Sequence, residues 1–145
     1  MVCAYWPSCR APFWSTYHPG DGTITGVVNA DHEATIQLVV HGAHGQQETI
    51  EVVIDTGFTG SLTLPPSLIT TLGLQWRGRQ RAMLGDGSVR FFDVYAATIL
   101  WDGQVRTVET DATDTEPLLG MRLLAGHEVR MQVVDGGTVT IEALP

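Results

Sequence analysis

The sequence contains no lysine and only two cysteines, Cys3 and Cys9. All eight basic residues are arginine, a bias from which we draw no functional conclusion. Both cysteines lie near the start, whereas a disulfide-stabilised scaffold needs more of them, spread through the body of the chain. The cysteine content is therefore typical of a protein of a reducing compartment, and we expect a cytoplasmic location.

Long hydrophobic runs and a basic surplus are also missing. No apolar stretch approaches membrane-spanning length, and residues 1–10 lack the basic start and continuous apolar run of a signal peptide. The formal net charge is −8 and the pI about 4.8. Nucleic acids and anionic membranes reward basic patches, so we expect no nucleic-acid partner and no membrane partner.

The composition that remains is that of one globular domain. The chain has 145 residues, of which 43% are hydrophobic and 17% charged. Residues 1–22 differ from the rest, because they hold three prolines, two tryptophans and both cysteines without any period. We predict an irregular N-terminal extension over residues 1–22, either poorly ordered or packed as an arm, and a folded domain over residues 23–145.

From residue 23 onward, short alternating apolar segments separated by glycine-containing turns predict an all-β protein. Two short segments instead have helical apolar spacing, residues 65–73 and 121–125, each stopped by glycine. The predicted strands cover residues 23–29, 35–41, 48–54, 62–64, 77–84, 88–100, 105–110, 128–134 and 138–144. So many short strands favour a small closed or nearly closed barrel.

Three apolar residues, Val52, Val53 and Ile54, run directly into Asp55-Thr56-Gly57. This pattern predicts a buried strand that carries one carboxylate into a tight loop. Thr56 offers a short hydroxyl, and Gly57 permits close approach of another backbone. A simpler interpretation is a turn acid that caps its own loop, because a lone Asp-Thr-Gly is a weak motif.

Two further features follow Asp55 along the chain: a hairpin and a second apolar segment that ends in glycine. A hairpin with its tip at Gly85, Asp86 and Gly87 follows the first helix, although such a tip is by itself an ordinary turn. An apolar pair plus glycine, followed by a helix, occurs at Leu118, Leu119 and Gly120. This second segment repeats the strand, glycine loop and helix that follow Asp55, but it carries no acid.

With these three features, residues 24–144 resemble the retropepsin-like aspartic proteases, in particular their single-domain bacterial members. The resemblance implies a small closed barrel of the retropepsin (acid protease) type with two short helices and a flap hairpin tipped by Gly85–Gly87. It implies that Asp55 is the catalytic acid, and that Thr56 and Gly57 support the active loop and the dimer. It further implies that Leu118, Leu119 and Gly120 pack beside that loop, and that no metal or cofactor takes part.

The resemblance to aspartic proteases implies a reaction that uses two carboxylates, and the chain offers one suitable acid. Asp114-Thr115 is followed by Glu116 rather than glycine, and a two-lobed enzyme would need roughly twice this length. We therefore expect a homodimeric aspartic endopeptidase that cleaves extended peptides or proteins with a water activated by two Asp55 carboxylates. By the same resemblance, residues 138–144 are expected at the dimer interface.

Phe58 departs from the family pattern, which usually has a small residue after Asp-Thr-Gly. A bulky ring there is expected to narrow or reshape the cleft and so to affect substrate preference.

Two other functions stay open: a fold relative that binds extended peptides or a partner protein without cutting, and a structural β module.

Two other sets of side chains have more than one interpretation. His41 and His44 are favoured as parts of a surface turn over metal ligands, since no cysteine lies nearby. The second set is Arg77, Arg79 and Arg81, which alternate along a strand. They are either a solvated face of that strand or a positive rim that favours acidic peptide.

Overall fold

A computed structural model describes residues 22–145 of the chain. The predicted extension, residues 1–22, lies outside the described residues except for Gly22. The described part begins immediately before the first strand.

Ten strands and two short helices follow one another. In chain order they are β1 (Ile24–Val28), β2 (Ala34–His41), β3 (Gln47–Ile54), β4 (Leu62–Leu64), α1 (Pro66–Leu72), β5 (Gln75–Met83), β6 (Val89–Trp101), β7 (Gln104–Ala112), β8 (Leu118–Leu119), α2 (Met121–Leu124), β9 (His127–Met131) and β10 (Thr138–Ala143). The predicted all-β class with two short helices is confirmed.

The strands form one sheet that closes on itself. Its order is β5-β6-β7-β4-β8-β3-β2-β1-β10-β9, and β6 also pairs with β2 at Val40↔Ile99 and His41↔Thr98. This extra pairing makes a ring of six strands: β6, β7, β4, β8, β3 and β2. Strand β5 extends the sheet beyond β6, and β1, β10 and β9 extend it beyond β2.

The core fills the ring, and strand alternation explains how. In β2, Ile36, Leu38 and Val40 are each no more than 2% exposed, as expected for the inward face of a strand with a period of two. The buried core also includes Val52, Leu62, Leu64, Ala97, Ile99, Trp101 and Leu119. Trp101, at 1% exposure, is the largest fully buried side chain of the described residues.

Both helices are brief and use their apolar residues to cover the core. Helix α1 has proline in its first turn, ends before Gly73, and buries Ile69 and Leu72. Helix α2 is a single turn that buries Leu123 and Leu124. Within residues 22–145, neither helix has the length and apolar character required to cross a membrane.

The C-terminal hairpin differs from the sequence-based expectation at the end of its first strand. Strand β9 ends at Met131 rather than continuing to residue 134, because the chain turns there: the Val134 N–H donates to the Gln132 carbonyl and the Gly137 N–H to the Val134 carbonyl. Strand β10 pairs with β1 on one edge and with β9 on the other. Within residues 22–145 its backbone is therefore paired on both sides at residues 139–141, and the placement of residues 138–144 at a dimer interface stays a prediction.

Candidate active site

Asp55 emerges at the end of β3, inside the sheet. Strand β3 pairs with β2 on one side and with β8 on the other, where Val53 and Ile54 align with Leu118 and Leu119. The Asp55 N–H continues this ladder by donating to the Leu119 carbonyl at 2.9 Å. Because paired strands hold it on both sides, the backbone that carries the carboxylate is rigid.

The Asp55 carboxylate is half-buried and accepts a hydrogen bond from the Gly57 N–H at 2.9 Å. The Phe58 N–H donates to the Asp55 carbonyl at 3.2 Å, which closes residues 55–58 into a tight turn. Thr56 is exposed at this turn, and within residues 22–145 its hydroxyl makes no hydrogen bond. One oxygen of the carboxylate and the neighbouring hydroxyl are thus available to other groups.

The start of α2 holds the rest of this loop. The Met121 N–H donates to the Phe58 carbonyl at 2.8 Å, the Arg122 N–H to the Gly60 carbonyl at 3.1 Å, and the Gly120 N–H to the Ser61 carbonyl at 3.0 Å. The first N–H groups of a helix have no partner inside the helix, so here the loop carbonyls satisfy them. The structure therefore brings Leu118, Leu119 and Gly120 against the Asp55 loop.

Gly120 is required at this junction by close packing. A Cβ atom at this residue would overlap the Gly60 carbonyl oxygen and would lie 2.5 Å from Cδ1 of Phe58. The approach of the two segments depends on the absence of a side chain at residue 120. This segment supplies packing beside the Asp55 loop rather than an acid.

The ring of Phe58 packs against backbone that the sequence did not indicate. The half-buried ring lies over the backbone of Gly60 and Gly120, with Cζ 2.5 Å from where a Cβ of Gly60 would be. It also borders the cleft beside Asp55. The ring therefore covers two glycines, and Phe58 also lines the cleft.

The hairpin of β5 and β6 reaches over this region. At its tip, the Leu84 N–H donates to the Ser88 carbonyl at 2.7 Å, and the Asp86 carboxylate accepts from the Ser88 N–H at 2.8 Å. Hydrogen bonds from the Ser88 side chain and backbone lower the pKa of Asp86. Gly85 borders the cleft, while Asp86 and Gly87 complete the exposed turn.

The base of the same hairpin is tied by one carboxylate. Asp93 on β6 accepts from Nε1 of Trp76 and from Nε of Arg79, each at 3.2 Å. Trp76 is 56% exposed. Arg79 is thus an ion-pair partner, while Arg81 borders the cleft.

A cleft of about 1240 Å³ lies between the Asp55 loop, the hairpin and β7. Four arginines border it, Arg81, Arg90, Arg106 and Arg122, together with four acids, Asp55, Glu109, Asp111 and Asp114. The cleft lining is therefore close to neutral in a chain whose formal charge is −8.

Asp111 is the cleft acid whose surroundings most disfavour its charge. Burial raises the pKa of Asp111, and the nearby negative charge of Glu109 raises it further, while Arg122 opposes both. No sequence signal pointed to Asp111, because a polar residue that alternates along a strand is ordinarily solvent-exposed.

The residues considered for metal binding are not brought together. Among residues 22–145, no group of three or more His, Cys, Asp or Glu side chains could hold a metal ion. His41 ends β2 and His44 lies in the following turn, where its ring approaches Gly73.

Comparison with known proteins places the fold. No protein-family model matches the sequence, and no curated protein matches it. Among solved structures, a retropepsin-like aspartic protease from Rickettsia conorii aligns with a TM-score of 0.54 and 15% sequence identity, over 85% of this chain and 92% of that chain. The chain has a retropepsin-like fold. At this identity the likeness shows the fold alone.

Proposed function

We propose that the protein is a homodimeric aspartic endopeptidase whose site is formed by Asp55 from two copies. The observation that supports this most is the placement of Asp55: a half-buried carboxylate at the end of a doubly paired strand, in a wide cleft under a hairpin, on a retropepsin-like fold. The matching segment at Leu118–Gly120 carries no acid, so one chain supplies half of a pair.

In the proposed reaction, the two carboxylates lie about 3 Å apart and share one proton, since two charges at that distance repel strongly. The ionised carboxylate takes a proton from a bound water, whose oxygen attacks the carbonyl carbon of the peptide bond. The protonated carboxyl donates to the carbonyl oxygen. Transfer of a proton to the nitrogen then breaks the C–N bond and releases an acid and an amine.

The neighbouring groups have matching proposed roles. The Gly57 N–H orients the Asp55 carboxylate, and the exposed Thr56 hydroxyl hydrogen-bonds to the partner copy across the two-fold axis. The hairpin tipped by Gly85, Asp86 and Gly87 closes over an extended peptide or protein segment, held by strand-like backbone hydrogen bonds. No step needs a cofactor.

We further propose that residues 23–145 form the complete catalytic domain and that it works in the cytoplasm. The first proposal rests on the span from the start of β1 to the end of β10, residues 24–143, which contains every group used above. The second rests on the low cysteine content. A variant that lacks residues 1–22 should keep its dimeric state, as measured by light scattering, and its cleavage pattern, as measured by peptide assay.

The decisive test compares wild type, Asp55→Asn and Asp114→Asn on a random-sequence peptide library from acidic to neutral pH, with products read by mass spectrometry. Asp114 is an exposed acid at the cleft edge and is also followed by threonine, so it is the matched control. We expect Asp55→Asn to stay dimeric and to lose at least about a hundredfold in rate. Asp114→Asn should keep most of its activity.

Two results would contradict the proposal. A strict monomer at working concentration would exclude a site shared between copies. A folded dimer that cleaves nothing at any pH would favour a non-catalytic module that binds extended peptides or a partner protein.

A further inference from the structure

Phe58 is the fourth residue of the turn that Asp55 begins, which fixes how near it lies to the reacting groups. The ends of such a turn lie within about 7 Å, Cα to Cα. Both backbone groups of Phe58 are bonded, its N–H to the Asp55 carbonyl and its carbonyl to the Met121 N–H. The ring therefore starts from an anchored position beside the carboxylate.

The ring itself has little room to retreat from the cleft. Its Cζ and Cε2 lie 2.5 and 2.7 Å from the place of a Gly60 Cβ, and its Cδ1 lies 2.5 Å from the place of a Gly120 Cβ. Both glycines are held by backbone hydrogen bonds between the loop and the start of α2. The ring is thus supported by backbone that cannot yield without breaking that contact.

The remaining surface of the ring borders the cleft together with Asp55 and Gly57. A side chain of a bound peptide that passes next to Asp55 must share this space with the ring. Apolar pockets discriminate poorly against a side chain that is too small, but they reject one that is too large by overlap.

We propose that Phe58 is a specificity-determining residue that limits the side chains accepted next to Asp55 to small ones, such as those of glycine, alanine and serine. This inference rests on the function proposed above. In a symmetric dimer each copy contributes one Phe58, so the limit acts on one substrate side chain on each side of the cleaved bond.

The test is a profile of cleaved peptides for wild type, Phe58→Leu and Phe58→Ala, with Phe91→Ala as the control. Phe91 borders the same cleft from the hairpin and is 67% exposed, so its removal deletes an equal ring at a distance from the turn. For peptides that differ only in one side chain beside the cleaved bond, kcat/KM is measured for alanine against leucine or phenylalanine.

We expect wild type to favour the small side chain and Phe58→Ala to shift the ratio by about tenfold or more toward the large one, with Phe58→Leu between them. Phe91→Ala should keep the wild-type ratio. If Phe58→Ala fails to fold, as judged by thermal unfolding, Phe58→Leu retains an apolar side chain over the glycines and provides the comparison.

Three results would overturn the inference. The first is an unchanged ratio in active variants, which leaves the protease proposal standing. The second is a wild-type preference for large aromatic side chains that disappears in Phe58→Ala, which would make the ring a stacking surface. The third is the absence of cleavage by folded wild type, which removes the proposed function and this inference with it.

Discussion

Among single residues, the carboxyl groups around the cleft differ in how burial and hydrogen bonding act on their charge. Asp86, fully exposed at the hairpin tip, has a lowered pKa because Ser88 donates to it. Asp111, partly buried on β7, has a raised pKa because burial and Glu109 disfavour its negative charge. These surroundings therefore destabilise the charged form of Asp111 relative to the neutral form.

We expect Asp111→Asn to raise the thermal stability at neutral pH. In the folded state the pKa of Asp111 lies above its ordinary value of 3.8. The stability that Asp111 contributes is therefore fully present below pH 3.8, and it is lost as pH rises through the folded-state pKa. The difference in Tm between variant and wild type should shrink toward zero as pH falls below 3.8. Thermal unfolding across the pH range measures it.

Glu109→Gln provides the control for that measurement. Glu109 is exposed on the same strand, and its removal relieves only the repulsion that it exerts on Asp111. Its effect on Tm should be smaller and of the same sign. A lower Tm for Asp111→Asn at neutral pH would show that the carboxylate makes a favourable interaction in the fold.

What could be predicted at this scale follows from local chemistry. An acid after an apolar strand, followed by threonine and glycine, was sufficient to place Asp55 in a turn at a strand end. The position of the Phe58 ring could not be predicted, since it depends on Gly120, which lies 62 residues further along the chain by subtraction (120 − 58). The environment of Asp111 depends in the same way on Arg122 of α2.

Among the elements, the contact between the Asp55 loop and α2 leaves no room for a methyl group added at Gly120. The helix has four residues, so it owes its position to the loop carbonyls and to two buried leucines rather than to its own length. The three hydrogen bonds from residues 120–122 act as one unit, because all require the same close approach of the two backbones.

We expect Gly120→Ala to lower the free energy of unfolding by about 1–3 kcal/mol, because the added methyl group overlaps the Gly60 carbonyl and the Phe58 ring. Urea unfolding of the two proteins measures the difference. Gly85→Ala is the control: a Cβ there meets nothing within 4 Å, so the change should stay within about 0.5 kcal/mol. Equal effects at the two residues would show that close approach is not what Gly120 provides.

The elements themselves were largely predictable, because alternation and glycine-containing turns mark short strands. The predicted end of β9 shows the limit: Val133 continues the alternation of Val129 and Met131, but hydrogen bonds within residues 132–137 turn the chain away. The closure of the ring, through two residue pairs between β2 and β6, has no local signal at all. Pairings between distant strands depend on the whole sheet.

For the whole molecule, the register of the sheet aligns the end of β3 with the hairpin between β9 and β10. Ile54 packs against the small cluster of Val28, Ala34 and Val139, and the Val28 N–H donates to the Gly137 carbonyl. The loop at residues 132–137 therefore lies at the same end of the sheet from which Asp55 emerges. Val133 and Val134 are 57% and 60% exposed in that loop.

We expect the dimer to cover this apolar end, so that Val134→Asp weakens association and lowers activity together. A buried, unpaired charge at an interface core costs several kcal/mol, which shifts the dimerisation constant by about a hundredfold or more. Light scattering over a dilution series measures the shift. Val105→Asp, at 66% exposure on the hairpin of β6 and β7, should stay dimeric, and equal weakening by both would place the interface elsewhere.

The segment at Leu118–Gly120 lies beside the Asp55 loop but carries no acid, so the proposed site needs a second copy of the chain. If catalysis requires two copies, the rate at low abundance rises with the square of the number of chains rather than in proportion to it. A cell that makes few copies would then hold an inert pool, and a modest increase in synthesis would switch proteolysis on. Expression level would itself act as the regulator, with no inhibitor needed.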